Sequence, residues 1–306
     1  MPDRPLTKNL LAPRYWLTWL GLGILRIIAW LPYPLQFLAG HKLGILLWLL
    51  PLPQKKIIAT NLQLCFPKLD KKTRKKLLFQ NYLSMGMAIV EVAMSWWSGD
   101  RQLKKLVTIE GLENLTAALE DHKGVILLSP HFTTLELSGR LLSLTTAFHV
   151  MYRDQKNAAF DFVMMRARER NYQKAIHRND IKGLLTSLKA NMPVWYAPDQ
   201  HFGGGNNVTV PFFDMPAPTN PATSRIAKLS GAAVLPFYQE RLKGLRGYRL
   251  VIYPAIKPFP SEDLEADTAQ INKALEQMIQ RIPSQYLWAH RRFKGQPWDT
   301  YSPYNQ

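Results

Sequence analysis

The stretch GVILLSPHFTTLELSGRLLSL, residues 124–144, decides how this chain is built. Its first third, GVILLSP (124–130), is apolar, rich in strand formers and bounded by Gly and Pro, as a strand should be. The remainder carries Leu135, Leu137, Leu141 and Leu142 as an apolar helical stripe. A buried strand passing straight into a helix is the start of a βαβ unit, and the same alternation extends outward. Upstream, VTIEG (107–111) has strand character and ENLTAALEDH has helical spacing. Downstream come strand FHVMYR (148–153), helices over 158–171 and 180–190, and strand VWYAPD (194–199). FGGGNN and the segment 211–221 read as loops. TSRIAKLSG reads as a helix with a Gly stop. AAVLPFYQERL and YRLVIYPAI form a strand pair across a Gly-containing turn, and 267–281 is a final helix. The fold class is therefore α/β, with a central sheet flanked by helices.

The 306 residues carry 39 Lys+Arg against 22 Asp+Glu, a net charge of +17 that draws the chain toward anions. Nucleic acid, phosphorylated metabolites, an acidic carrier protein and an anionic membrane all qualify. The single cysteine, Cys65, excludes an intramolecular disulfide and a cysteine-based zinc site. A hydrophobic fraction of 47% excludes a disordered chain.

Apolar residues are concentrated at the front. YWLTWLGLGILRIIAWL (15–31) has Arg26 as its only charge, and LQFLAGHKLGILLWLLPL (35–52) is interrupted by His41 and Lys42. The first approaches the roughly 20 residues of a membrane span, with Trp16, Trp19 and Trp30 near its ends. The alternative is a pair of core helices. The preferred organisation is a membrane anchor and an interfacial helix over 1–52, followed by an α/β body over 53–306. Asp3, Arg4, Lys8 and Arg14 precede the anchor, and a far more basic stretch follows it. That asymmetry places the body on the cytoplasmic side. The run KLDKKTRKK (68–76) is either a solvated helix start or a contact with an anionic leaflet.

Ligands in open α/β sheets collect beyond the carboxyl ends of the strands. There the chain places His131, Arg153 and Asp199-Gln200-His201. A histidine at a strand–helix junction can take a proton from a hydroxyl, and a carboxylate nearby can fix its tautomer. Glu136, separated from His131 by four residues, is a candidate partner; the alternative pairs Glu136 with a nearby arginine such as Arg140. If sequential strands are neighbours, Arg153 lies on the strand beside the one that delivers His131. There is no G-x-S-x-G elbow, no P-loop and no H-E-x-x-H, so no serine nucleophile, nucleotide or metal is expected.

SPHFTTLELSGR, YRDQKN, VWYAPDQ, VTVPFF and QYLWAHRRFK together resemble the lipid A biosynthesis late acyltransferases, especially the lauroyl type. PRYW (13–16) and NLQLCFP (61–67) extend the likeness over nearly the whole chain. The family is similar in turn to glycerolipid acyltransferases, which share a His-x4-Asp/Glu motif. The resemblance implies a glycerolipid-acyltransferase-like sheet and a bacterial inner-membrane protein with a cytoplasmic catalytic body. It implies transfer of a fatty acyl chain, lauroyl by type, from acyl carrier protein. The acceptor it implies is a hydroxyl of an acyl group on Kdo-lipid IVA or a similar anionic glycolipid.

By the same resemblance His131 is the general base and Glu136 its orienting partner. Arg153 binds acceptor phosphate or transition-state charge, and Asp199 has a positioning role. Family members of the lauroyl type often have Asp-His-Asp where this chain has Asp199-Gln200-His201, which leaves His201 without an assigned role. Arg291 and Arg292 match a terminal motif that supports the site or contacts the acceptor. An activated thioester needs no cofactor, and backbone N–H groups at the helix start after His131 are candidate oxyanion donors. The competing readings are a glycolipid acyltransferase with another donor or acceptor, and a membrane-anchored nucleic-acid binder. The latter lacks any nucleic-acid-binding motif to support it.

Overall fold

The computed structural model describes residues 7–295 and 303–304. Asp3 and Arg4, counted above among the N-terminal charges, lie outside them. The two apolar runs form α1 (Trp16–Trp30) and α2 (Tyr33–Leu49), separated at Pro32, and are followed by α3 (Gln54–Cys65). Among the described residues, the single helix long and apolar enough to cross a membrane is neither of the first two, although α2 and α3 together reach that length and apolarity across a 94° bend. The single helix is α4 (Lys71–Trp97), and 61% of its apolar window is buried inside the protein. The basic run 68–76 is the exposed start of this helix. Asp70 caps it there, accepting from the Lys72 and Thr73 N–H groups at 2.8 and 2.9 Å.

The α/β body begins with α5 (Asp100–Lys104), β1 (Val107–Glu110), α6 (Leu112–Leu119), β2 (Val125–Leu128) and α7 (Leu135–Ser143). It continues through β3 (His149–Tyr152), α8 (Ala158–Asn171), β4 (Lys174–His177), α9 (Ile181–Lys189) and β5 (Pro193–Tyr196). Then come β6 (Val208–Phe212), β7 (Met215–Thr219), α10 (Ala222–Ser230), β8 (Ala233–Arg241), β9 (Tyr248–Ile252) and α11 (Leu264–Arg281). Seven strands form one sheet in the order β1-β9-β8-β2-β5-β3-β4. Its pairs are parallel except for the antiparallel hairpin β8–β9. Gly231, at φ +74°, ends α10 as the sequence predicts.

The apolar run of β2 is buried on both faces. Ile126 and Leu128 enter one hydrophobic cluster with Val194, while Val125 and Leu127 enter the other with Trp195. That division follows from the two-residue period of a strand, and burial on both sides is the reason β2 shows no polar alternation.

Two expectations are corrected. The strands β2 and β3 are consecutive in sequence but not neighbours, because β5 lies between them. The segment 211–221 is not a loop throughout, since β6 and β7 pair antiparallel from Val208↔Thr219 to Phe212↔Met215.

Candidate active site

The register of two strands builds the centre of the site. Leu128 of β2 pairs with Tyr196 of β5, and the Ser129 N–H continues the ladder to the Tyr196 carbonyl at 3.1 Å. His131 and Asp199 each lie three residues beyond that pair, so both chains deliver them to the same place. His131 Nδ1 donates to Asp199 Oδ1 at 2.5 Å, and the His131 backbone N–H donates to Oδ2 at 3.0 Å. The Tyr286 hydroxyl also donates to this carboxylate. Asp199 is fully buried, whereas the His131 side chain is 29% exposed. With Nδ1 engaged, Nε2 is the ring atom left to receive a proton from the cleft.

Burial by itself would depress the His131 pKa, but the Asp199 charge and hydrogen bond outweigh it and hold the imidazole above its ordinary value. Burial likewise favours neutral Asp199. The His131 charge and the hydrogen bonds from His131 and Tyr286 win, leaving the carboxyl below its ordinary value.

Glu136, the partner expected from spacing, is not on the histidine ring. Its carboxylate is held by Arg168 of α8, Oε1 to Nε at 3.1 Å and Oε2 to Nη2 at 2.5 Å. Trp96 Nε1 adds a third donor at 3.2 Å. Burial alone would raise the Glu136 pKa, yet these partners lower it. Counting residues from His131 located Glu136 in the first turn of α7 but could not say which neighbour its side chain meets. Arg140, the alternative partner, pairs with Asp100.

His131, Glu136, Arg153, Arg168 and His201 line one cleft of about 640 Å³ at the strand carboxyl ends. Leu135, Val150, Tyr172 and Trp195 add apolar wall. Arg178 also lines it and was missed in the sequence, because β4 was not recognised there. Tyr152 pairs with His177 in register, so Arg153 and Arg178 each follow that pair by one residue on adjacent strands. Neither has an ion pair among the described residues.

The C-terminal arginines sit elsewhere. Arg292 is buried, donates to the Pro218 carbonyl and Thr219 Oγ1 at 2.7 Å each, and stacks 4.9 Å over Phe212. It ties the tail to the β6–β7 hairpin. Arg291 is exposed and lies 5.9 Å over the Tyr304 ring. Neither lines the cleft. Other members of this terminal motif reach the segments that carry His131 and His201. Tyr286 bridges to Phe132, and the Leu287 N–H donates to the His131 carbonyl at 2.9 Å. Nε2 of His290 accepts from the His201 N–H at 2.7 Å. Burial, mainly, pushes the His290 pKa down to about 4, which keeps that nitrogen unprotonated and able to accept.

The N–H groups expected as oxyanion donors are largely engaged. Phe132 donates to Pro130, Thr133 to Gln285 and Leu135 to Phe132. Those three amides are spent on closing the loop around His131.

A buried carboxylate holding a histidine beside an arginine-lined cleft, above a mostly parallel sheet, is the kind of arrangement with which an α/β enzyme can move a proton. The sequence pattern of the bacterial lipid A biosynthesis acyltransferases matches residues 4–295, and the chain belongs to this family. It is an acyltransferase, and the family implies a lipid A-type acceptor. The chain is 38% identical over 298 residues to the lipid A biosynthesis palmitoleoyltransferase of Escherichia coli (strain K12), covering 97% of each protein. It is 37% identical over 289 residues, 94% of each, to the lauroyltransferase of the same organism. To the myristoyltransferase it is 27% identical over 305 residues, 98% of this chain and 93% of that one.

Proposed function

We propose that this enzyme transfers a lauroyl-type chain from acyl carrier protein to a hydroxyl on an acyl group of a Kdo-bearing, phosphorylated disaccharide lipid. The observation that carries the reading is the His131–Asp199 pair at the mouth of a cleft rimmed by Arg153 and Arg178. His131 Nε2 takes the acceptor hydroxyl proton as the oxygen attacks the thioester carbonyl. Asp199 offsets the charge of the resulting imidazolium and holds the tautomer. Collapse of the tetrahedral adduct breaks the C–S bond, and the imidazolium returns its proton to the departing thiolate. The product is an acyloxyacyl ester, formed without a covalent enzyme intermediate. Arg153 and Arg178 meet the negative charge of the acceptor phosphate or of the adduct oxygen. Glu136 supports the cleft wall through Arg168.

A donor on a cytosolic carrier protein and an acceptor in a membrane place the reaction at the cytoplasmic face of the bacterial inner membrane. The net charge of +17 suits both the acidic carrier and the anionic lipid.

The test is incubation of the purified full chain with lauroyl, myristoyl and palmitoleoyl thioesters of acyl carrier protein and of coenzyme A. The acceptor is the tetra-acylated Kdo disaccharide, read by mass. A single added lauroyl group, fastest from the carrier protein, is expected. A preference for coenzyme A or for another chain would overturn the donor assignment. Undiminished transfer by folded His131→Ala would overturn the site.

A further inference from the structure

The first two helices present a face that the body of the protein leaves uncovered. Of the sixteen large apolar side chains exposed among the described residues, thirteen lie between Leu11 and Leu50. In α1, Leu17, Leu20, Ile24 and Ile27 recur at helical spacing, with Leu17 81% exposed, while Leu22 and Ala29 are buried on the opposite side. In α2 the outward stripe runs to Leu49, 72% exposed, while Gln36, Gly40 and Gly44 face inward. A contiguous apolar surface of this kind marks a binding face.

We propose that this face is a monotopic docking surface: α1 and α2 lie in a single leaflet of an anionic phospholipid bilayer, and α1 does not cross it. Length is the first reason. The 15 and 17 residues of the two helices span about 22 and 25 Å, short of the roughly 30 Å hydrocarbon core. Charge placement is the second, because Arg26 and Lys42 are exposed within the helices, where an in-plane helix lets them snorkel to the headgroups.

Attachment to the body is the third. A Cβ on Gly86 of α4 would strike the Gly44 amide and the Gly40 carbonyl of α2, so the two backbones are in direct contact. α1 is fastened at both ends. Asn157, at the start of α8, donates to Thr18 Oγ1 at 2.8 Å, and Gln36 and Ser98 donate to the Ala29 carbonyl at 2.8 and 3.0 Å. A helix held flat against a rigid body cannot turn to run through the membrane independently.

The occupant follows from charge. Residues 4–69 contain eight Lys and Arg and no Asp or Glu. A protein partner of mixed surface would be met by both signs, whereas a sheet of anionic headgroups is matched by cations alone. Arg26 stacks 5.2 Å over Trp30 and Lys55 3.7 Å over Trp48, placing cation and aromatic together as an interface requires. The contact of α1 with Asn157 also brings the lipid surface beside Arg153 and Gln155 of the cleft, so a membrane-resident acceptor has a short route into it.

Topology distinguishes docking from spanning. The one native cysteine, Cys65, is buried, so a membrane-impermeant maleimide gives little background. Full-length Thr7→Cys and Lys243→Cys proteins are labelled in right-side-out and inverted membrane vesicles. Both should react from the same side; reaction from opposite sides would overturn the proposal. Flotation with phosphatidylcholine vesicles, with and without phosphatidylglycerol, tests the face itself. Leu20→Glu/Ile27→Glu, both at exposed positions, should bind the anionic vesicles about tenfold or more weaker than the parent while keeping its thermal transition. Equal binding by the double variant overturns the proposal. So does a discrete protein dimer that the double variant abolishes while vesicle binding persists.

Discussion

At the scale of single residues, the division of labour between two carboxylates can be tested by pH. His131 must be unprotonated to accept a proton, so activity rises as pH climbs through its folded pKa. Asp199 raises that pKa, and Asp199→Asn should therefore move the acid limb of kcat/KM to lower pH while reducing the rate. Glu136→Gln should leave the limb in place, because its carboxylate is bonded to Arg168 and Trp96. A limb that moved with Glu136 instead would return the orienting role to that residue. His131→Ala should cost about 10²–10⁴-fold in acyl transfer, measured on protein shown to be folded. Arg153 and Arg178 make a second pair to test. Like charges on adjacent strands destabilise each other, so a shared anionic partner is their natural compensation. Each Ala variant should lose about 1.5–3 kcal/mol of transition-state stabilisation if one charge-assisted hydrogen bond is lost. If the pair binds acceptor phosphate, that deficit should shrink on a dephosphorylated acceptor. An unchanged deficit would assign both arginines to the reacting carbonyl.

At the scale of elements, Glu136 and Arg168 join α7 to α8, with side chains only 13% and 14% exposed. Glu136→Leu leaves a buried guanidinium unpaired, and the expected loss is about 3–5 kcal/mol in denaturant unfolding. The folded-state pKa of Glu136 is lowered, which fixes the sign of the linkage. Its contribution is complete above the unfolded carboxyl pKa and is lost as pH falls through the folded value. Glu136→Leu should accordingly show a shallower loss of stability on acidification than the parent. The β6–β7 hairpin shows why a strand pair can escape sequence analysis. Pro211, Pro216 and Pro218 lie within it, and its two turn residues are Phe213 and Asp214, both at positive φ, in place of the usual Asn-Gly. Phe213 holds that conformation through tertiary contacts. Its N–H donates to Glu276 at 2.9 Å and its ring packs on Phe66 and Trp288. No local signal encodes those partners.

At the scale of the whole molecule, α2 bears on where the protein can be cut. The division at residue 52 separates an anchor from a body by composition, yet α2 buries Gly40 and Gly44 against the middle of α4. We expect a chain beginning at residue 53 to unfold at a markedly lower temperature than the full protein, because α4 would lose its cover. Equal melting temperatures would establish the anchor as a separate unit.

Strand and helix periods, the Gly and Pro that bound them and the residues at strand ends are local properties. They were enough to predict the α/β class, the helix over 158–171, the β8–β9 pair and the placement of His131, Arg153 and Asp199 beyond strand carboxyl ends. The motif likeness was enough to point to the family. Strand order was decided only by tertiary structure, since hydrophobic period says nothing about which strand inserts between two others. It placed β5 next to β2 and so brought Asp199, 68 residues away in sequence, onto the ring of His131. The same ordering paired Arg178 with Arg153 and gave Glu136 to Arg168. A side chain's partner depends on which helix packs against it, and spacing along the chain does not contain that information.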